Sequence, residues 1–318
     1  MTTIRIIIEC PKPVYYAGDT LTGYIVVNLP KDKKVNKINF EVIGLASVKF
    51  RCSYGRNTVT YSAKEYYLNS QLTVWEKNKA KDEIQLSRGI WEYPFIGTIP
   101  NNACSSFKGC SGNIRYTLQA KLDMPWALNK TCKIEIPVAV PINLNNTPMY
   151  VRPQYAYIHK DILFSFSKFI QATVSIPRLA WGPGEIIPVH CSVRNNSSND
   201  IYAIGINIVK KTNFIGRNPE WRYTKTEQHI KQIPLIKTYV SISPLESKQV
   251  HLNVHVPSNL VTITNCSIIT VNYQLEVILH TKNFFTFAPF TRMNIIFSNV
   301  PLLQSCPSPQ TPTTKSQP

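Results

Sequence analysis

The sequence repeats itself at a constant offset of 166 residues. The run from Gly18 to Val42 aligns without a gap with the run from Gly184 to Ile208, and Tyr15 then falls on Trp181. A second matching feature lies toward the end of each copy. Pro100 lies sixteen residues before Tyr116, Pro257 lies sixteen residues before Tyr273, and both tyrosines are in strand-like segments. This period is too long for a solenoid or propeller unit, so the repeat predicts two copies of one whole domain.

Alternation of apolar and polar residues indicates strands throughout. The clearest case has one apolar face and one polar face over residues 114–122, and residues 271–280 repeat it. Only residues 74–86 have a spacing compatible with a short turn or helix. We therefore predict an all-β chain of two tandem immunoglobulin-like antiparallel β-sandwiches at 1–145 and 161–300, with a linker at 146–160 and a disordered tail at 301–318.

The net charge of +17 comes from a shortage of acids, since 35 Lys and Arg face 18 Asp and Glu. The excess is shared: residues 1–160 carry 21 basic and 11 acidic side chains (+10), and residues 161–318 carry 14 and 7 (+7). Such a surface suits acidic or phosphorylated protein segments and an anionic membrane better than it suits nucleic acid, so no specific nucleic-acid partner is expected.

The first residues are too quickly interrupted by charge to form a signal peptide, and no apolar run approaches a membrane span. The eight cysteines form no CxxC pair. These features predict free thiols and a cytoplasmic protein.

The sequence predicts neither a metal centre nor a catalytic site. His251 and His255 have the spacing of a helical zinc motif but lie in a strand pattern, where four residues span about 13 Å, so we expect a solvent-facing pair. Cys104 and Cys110 flank a loop without further ligands, and are expected as a partly buried thiol or turn residue. No P-loop, GxGxxG, GxSxG or HExxH occurs, so we predict no enzyme, no cofactor and no small-molecule substrate.

Several motifs resemble those of the arrestin domain-containing proteins, the alpha-arrestin family. Residues 15–23 (YYAGDTLTG) resemble the family's opening motif, and residues 91–109 resemble its F-P-F, L-P and S-S-F-x-G series. Residues 114–126 (IRYTLQAKLDMPW) are similar to its most recognisable stretch. Residues 142–145 (INLN) and 183–185 (PGE) resemble the end of its N-terminal domain and the start of its C-terminal domain.

This resemblance implies two seven-stranded sandwiches and a non-catalytic adaptor that binds cytosolic tails of membrane proteins and directs their endocytosis, sorting or ubiquitination. It also implies that the protein associates peripherally with the plasma membrane or endosomes. The family's PPxY motif is absent from these 318 residues, so a ubiquitin ligase is expected only indirectly. The alternative is a constitutive structural subunit of a retromer-like sorting coat, and an enzyme or nucleic-acid binder is the third hypothesis. The partner-binding candidates are Arg5, Lys12, Arg115 and Lys121.

Overall fold

A computed structural model describes residues 1–77, 85–141, 148–161, 168–220, 223–282 and 288–298. Its regular structure is almost entirely antiparallel β-sheet, and within these described ranges the one helical element is a 3-10 turn at Pro148–Val151. The predicted all-β fold with tandem sandwiches is confirmed. None of the described residues forms a helix long and apolar enough to span a bilayer.

The strands of the N-terminal domain are β1 Thr3–Ile8, β2 Tyr15–Tyr16, β3 Thr20–Leu29, β4 Lys33–Lys34, β5 Lys37–Tyr54, β6 Asn57–Glu76, β7 Gln85–Leu86, β8 Gly89–Thr98, β9 Phe107–Lys108, β10 Gly112–Asp123, β11 Lys130–Ile136 and β12 Val138–Ala139. The domain packs a three-stranded sheet, β1-β3-β8, against the sheet that contains β11, β10, β5 and β6. Two short pairs, β2 with β12 and β4 with β7, add to these sheets.

The strands of the C-terminal domain are β13 Gln154–Asp161, β14 Phe169–Ile176, β15 Ala180–Trp181, β16 Ile186–Asn196, β17 Ile201–Arg217, β18 Thr224–Ile242, β19 Ser247–His255, β20 Ile269–Thr281 and β21 Phe290–Phe297. The domain packs a four-stranded sheet, β13-β14-β16-β19, against a sheet of β18, β17, β20, β21 and β15.

One sheet runs through both domains, because β6 of the first domain meets β17 of the second where Ser62 pairs with Arg217. The inward-facing apolar side chains of all these strands form one continuous cluster. The two sandwiches are therefore joined through packed structure as well as through the chain.

The sequence repeat corresponds to a repeated turn that opens each domain. Gly18 and Gly184 both adopt the left-handed conformation, with φ of 87° and 77°, which glycine reaches without a Cβ penalty. In each copy the next residue is an acid whose carboxylate accepts a backbone N–H three residues before it and binds a cation: Asp19 lies 3.0 Å from Lys12, and Glu185 lies 2.8 Å from Arg178. The two cations differ by the same offset of 166, so this turn is one local structure used twice.

A buried tyrosine fastens the loop before the long central strand in each domain. The Tyr116 hydroxyl accepts the N–H of Cys104 at 3.0 Å and donates to the Cys104 carbonyl at 2.8 Å. The Tyr273 hydroxyl accepts the N–H of Val261 at 3.3 Å. Both rings are buried, and each hydroxyl bonds a residue twelve positions before it, so the repeat extends to this contact.

One carboxylate is buried in the C-terminal domain. Glu276 on β20 is 2% exposed, and Arg292 of β21 donates to its Oε1 from Nε at 2.8 Å and from Nη2 at 2.7 Å. Asn207 and Gln232 donate to its other oxygen, at 3.0 and 3.1 Å. The charge is therefore fully partnered, which is what makes its burial tolerable.

The structure changes one expectation and leaves others open. Residues 74–76 belong to strand β6 and residues 85–86 to β7, so the suggested helix is wrong at both ends, where strand pairing with β5 and β4 overrides local spacing. The predicted domain boundaries stay predictions, and β13 occupies much of the predicted linker while pairing with β14. The motif at 142–145 and the predicted tail lie outside the described residues.

Candidate functional site

The candidate site lies where two long hairpins from different domains run side by side. The β5–β6 hairpin and the β17–β18 hairpin touch near their tips, where the Lys225 ammonium donates to the Tyr54 hydroxyl at 2.7 Å and Asn218 donates to the Thr60 carbonyl at 3.3 Å. The turn between β9 and β10 (residues 109–111) lies beside them, and the Lys49 N–H bonds the carbonyl of Ser111 at 2.8 Å. These three segments enclose a cleft at the domain junction.

The first part of the cleft belongs to the N-terminal domain and holds about 710 Å³. Its walls are residues 47–49 of β5, residues 62–64 of β6 and residues 109–113. Lys49 and Lys64 are its charged residues. Both occupy the outward-facing positions of their strands, since their neighbours Val48 and Ala63 pack toward the core.

The second part holds about 570 Å³ and lies between the domains. Residues 107–110 form one wall, and the inner face of the β17–β18 hairpin forms the other. On that face the apolar pair Ile208 and Ile233 is followed by the directly opposed pair Lys210 and Lys231. Alternation puts both lysines on the core side of the hairpin, where an apolar side chain is expected.

Six basic side chains line the two parts of the cleft: Lys49, Lys64, Lys108, Lys210, His229 and Lys231. Neither described lining includes an Asp or Glu. His229 contacts Glu227 at 3.2 Å, whereas the five lysines make no salt bridge to any described residue. We call the cleft that these six residues line the basic cleft.

Lys210 is the most constrained member of the basic cleft. Burial lowers the pKa of its ammonium, and the positive charge of Lys231 lowers it further. Its Nζ lies 5.1 Å from the centroid of the Phe107 ring, a cation–π contact that partly compensates for lost water. Like charges directly opposite on paired strands destabilise a sheet, so an anion bound between Lys210 and Lys231 would offset their repulsion.

The four residues singled out from the sequence do not form one surface. Arg5 is exposed on the sheet β1-β3-β8, whereas Arg115 and Lys121 lie on β10 of the opposing sheet. Lys12 binds Asp19 in the repeated turn, and Arg115 lies 3.9 Å from Glu135. Their role in partner binding stays a prediction. The contact with Asp19 gives Lys12 a structural role in the repeated turn.

The described residues contain no group of three metal-binding side chains. His251 and His255 lie on strand β19 and are exposed, as the alternation predicted. His251 also meets His190 of β16, with 2.5 Å between their Nδ1 atoms, a cross-strand pair that sequence spacing could not show. Cys104 is fully buried, while Cys110 is exposed in the basic cleft.

Sequence reasoning missed the basic cleft because its walls are far apart in the chain. One local signal was present: the alternating series Ile204, Ile206, Ile208 is continued by Lys210 and only later by Phe214. A lysine that interrupts a core-facing series predicts a local opening of the core. The partner wall at 107–110 could be found only in three dimensions.

Comparisons with known proteins agree with this architecture. The chain matches the sequence model described as Arrestin (or S-antigen), N-terminal domain, over residues 4–145, and the corresponding C-terminal domain over residues 167–302. It is 25% identical over 294 residues to Arrestin domain-containing protein 17 of Caenorhabditis elegans, which covers 86% of this chain and 66% of that protein.

Two human proteins show similar relationships. Arrestin domain-containing protein 1 is 23% identical over 297 residues, covering 92% of this chain and 64% of its own length. Arrestin domain-containing protein 4 is 24% identical over 278 residues, covering 85% and 65%. The chain thus spans slightly less than two thirds of the length of each relative.

Proposed function

Because the chain belongs to the arrestin family, in its alpha-arrestin branch, we propose that it is a cytosolic adaptor that binds cytosolic segments of membrane proteins and directs their endocytosis, sorting or ubiquitination. Proteins of this family are generally adaptors without catalytic activity. The proposal concerns what this chain binds, and the observation that carries it is the basic cleft, whose five lysines make no salt bridge to any described residue.

The chemistry of the cleft favours an acidic or phosphorylated peptide segment. Its lysines extend from the outward faces of β5 and β6 to the inner face of the β17–β18 hairpin, a continuous path that a peptide could follow. Carboxylates or phosphates along the segment would supply the counter-charges that the protein lacks there. Among these lysines, the half-buried Lys210 would be stabilised most by a bound anion, because a nearby negative charge favours the charged form of the side chain that burial disfavours.

The same electrostatics supports a peripheral position at membranes. The sequence carries a net charge of +17, which attracts the chain to the anionic cytosolic leaflet and concentrates it near the tails of membrane proteins. Arg5, Lys12, Arg115 and Lys121 are retained as proposed outer contacts for these acidic partners. Ubiquitination would be reached through a partner that itself recruits the ligase.

Two triple variants that remove the same amount of charge distinguish binding in the basic cleft from attraction by the overall charge of the protein. In the first, Lys108, Lys210 and Lys231 become Gln; in the second, Arg5, Arg115 and Lys121 become Gln, and Lys12 is left intact because it binds Asp19. The probe is a fluorescent peptide with three phosphoserines among glutamates, titrated by anisotropy near physiological salt. We expect the cleft variant to bind at least about tenfold more weakly and the second variant to change less than about threefold, since contacts in an enclosed site are less screened than exposed ones.

Each outcome has a defined meaning. Equal losses in both variants would show that net charge, and not the cleft, attracts the peptide. Unchanged binding in both variants would contradict a role for these basic side chains in binding the peptide. Circular dichroism and thermal melting of both variants ensure that any loss reflects binding.

Proximity labelling in intact cells tests the cellular half of the proposal. The full chain should enrich membrane proteins and endocytic machinery, and the cleft variant should lose the membrane proteins. A single stoichiometric complex that survives purification in high salt would instead favour the retromer-like subunit, because apolar interfaces resist screening.

A further inference from the structure

A loop at the outer end of the N-terminal domain exposes two large apolar side chains. It joins β10 to β11 over residues 124–129, and Trp126 and Leu128 in it are 102% and 88% exposed. Trp126 is the most exposed large apolar side chain among the described residues. Because tryptophan is on average a highly buried residue, a ring in full contact with water indicates a surface that another phase or molecule covers.

The base of this loop is fixed, and its tip projects. Met124 is buried, and its N–H donates to the Asn129 side-chain carbonyl at 3.2 Å, which closes the loop on itself. The N–H of Asn36 bonds the carbonyl of Asp123 at 2.8 Å and ties the loop base to the segment before β5. Trp126 has a φ of 57°, a left-handed conformation that bulky residues rarely adopt. The ring of Trp126 is therefore presented to solvent from an anchored base.

Lysines surround the base of the loop, because four strands have their ends there. Asp123 at the end of β10 pairs with Lys37 at the start of β5, Lys37 pairs with Glu76 at the end of β6, and Lys130 at the start of β11 pairs with Leu122. Over residues 31–37, 76–77 and 123–130 there are three acids, Asp32, Glu76 and Asp123, and six lysines, Lys31, Lys33, Lys34, Lys37, Lys77 and Lys130. None of these lysines makes a salt bridge to any described residue.

An apolar tip within a ring of lysines matches the chemistry of an anionic membrane surface. Tryptophan is enriched at the level of the lipid headgroups, where one part of its ring system is apolar and its N–H reaches water. Lysines near an anionic leaflet are attracted to it, and this attraction falls off within a Debye length. An apolar group and a basic cluster together give more stable attachment than either does alone. A protein groove would need the apolar pair but not the lysines around it.

We propose that residues 125–128 insert into the headgroup layer of an anionic membrane and that the surrounding lysines contact the lipid headgroups. The proposal rests on the proposed function for the peripheral position at membranes, and it identifies the part of the protein that makes the contact. Lys49 of the basic cleft is twelve residues along β5 from Lys37, which is about 40 Å of strand. The loop can therefore enter a membrane while the basic cleft stays in water, open to a cytosolic segment.

Vesicle binding by the full chain tests the proposal. The probes are sedimented vesicles of phosphatidylcholine alone or with about 30% phosphatidylserine, near physiological salt. We expect the wild-type chain to bind the anionic vesicles, and Trp126→Ser with Leu128→Ser to weaken this binding by at least about tenfold, because both side chains then lose their apolar burial. The matched control is Tyr155→Ser with Tyr157→Ser, an exposed pair on β13, which should change binding by less than about threefold.

A pair of charge variants tests the role of the lysines. Replacing Lys34, Lys37 and Lys130 with Gln should weaken binding to anionic vesicles by at least about tenfold, because each lysine lies near the inserted loop. The cleft variant, in which Lys108, Lys210 and Lys231 become Gln, removes the same charge. Its binding should change by less than about threefold, since those lysines lie several Debye lengths from the membrane.

Fluorescence measures the depth of the loop. Lipids brominated near the headgroup should quench the wild-type emission more than that of Trp126→Phe, which keeps the other four tryptophans. Equal quenching, or equal losses of binding in the loop and tyrosine variants, would overturn the proposal. Losses in the lysine variant alone would show adsorption without insertion. If the wild-type chain bound no vesicles, the loop would have to contact a protein instead.

The phosphopeptide titration separates this proposal from the function proposed for the basic cleft. The loop variant should bind the phosphopeptide as the wild type does, and its thermal melting should be unchanged because neither side chain is buried. A failure of vesicle binding with intact peptide binding would count against the loop alone. Intact vesicle binding without peptide binding would count against the cleft alone.

Discussion

The repeated tyrosine allows one substitution to be measured twice within the same chain. Removing the hydroxyl of Tyr116 leaves both the N–H and the carbonyl of the buried Cys104 without their partner. Each unsatisfied buried backbone group costs about 1–3 kcal/mol, so Tyr116→Phe, which leaves two such groups, should lower the free energy of unfolding of the N-terminal domain by about 2–6 kcal/mol. Tyr273→Phe removes one longer bond, to the partly exposed Val261, and should cost the C-terminal domain about 0.5–1 kcal/mol.

The assay must report each domain separately, because a two-domain chain need not unfold in one step. Native-state hydrogen exchange does so when the most protected amides of β10 and β20 are followed through a urea series. Equal losses in the two domains would refute the reasoning, since the hydrogen bonds would then not decide the cost. A loss below about 0.5 kcal/mol for Tyr116→Phe would show that water or a shifted loop replaces the hydroxyl.

Three other substitutions test particular features of the fold. Gly23→Ala would bring a Cβ within 2.1 Å of the Ile7 carbonyl oxygen, so it should lower the free energy of unfolding, measured by urea denaturation, by at least about 3 kcal/mol. In the control Gly97→Ala the Cβ would be 4.0 Å from the nearest atom, so the loss should be less than about 1 kcal/mol. Arg292→Ala removes the only cation that contacts the buried Glu276 carboxylate among the described residues, although Asn207 and Gln232 still donate to it, and should cost about 3–5 kcal/mol. Lys282→Ala, in an exposed pair, should cost less than about 1 kcal/mol, and similar values for the two variants would contradict the role of burial. The backbone N–H of Tyr16 and the Lys12 ammonium lower the pKa of Asp19, so its contribution is present above the ordinary value of 3.8 and is lost as pH falls through its lower folded value. Thermal melts between about pH 6 and 3 should therefore fall less steeply for Asp19→Asn than for wild type, and parallel curves would argue against this linkage.

The domain plan was predictable from the sequence because its evidence is local. Alternation over residues 114–122 gives a half-buried strand whatever its neighbours are, and a glycine followed by an acid at the two repeat positions encodes the same turn twice. The structure confirms both, down to the cation at the same offset that binds each acid. Where local spacing was ambiguous, at residues 74–86, pairing with distant strands decided the outcome.

The candidate site was less predictable because it is assembled from both copies of the repeat. Charge counting pointed to acidic partners, but the residues chosen from it lie on opposing sheets, and two of them contact carboxylates. The cleft lysines at 108, 210 and 231 become neighbours only after the β9–β10 turn docks on the β17–β18 hairpin. No alternation rule connects positions a hundred residues apart.

By itself, the sequence determined two similar all-β domains, a basic surface and the turn and tyrosine that each domain repeats, since all of these follow from periodicity, backbone preferences and composition. Tertiary structure alone decided which basic residues share a cleft and that Cys104 of the N-terminal domain hydrogen-bonds Asn265 of the C-terminal domain. The physical reason is that apolar burial and strand pairing set how the two sandwiches pack, and that packing places charged and polar groups which are remote in the chain within contact distance.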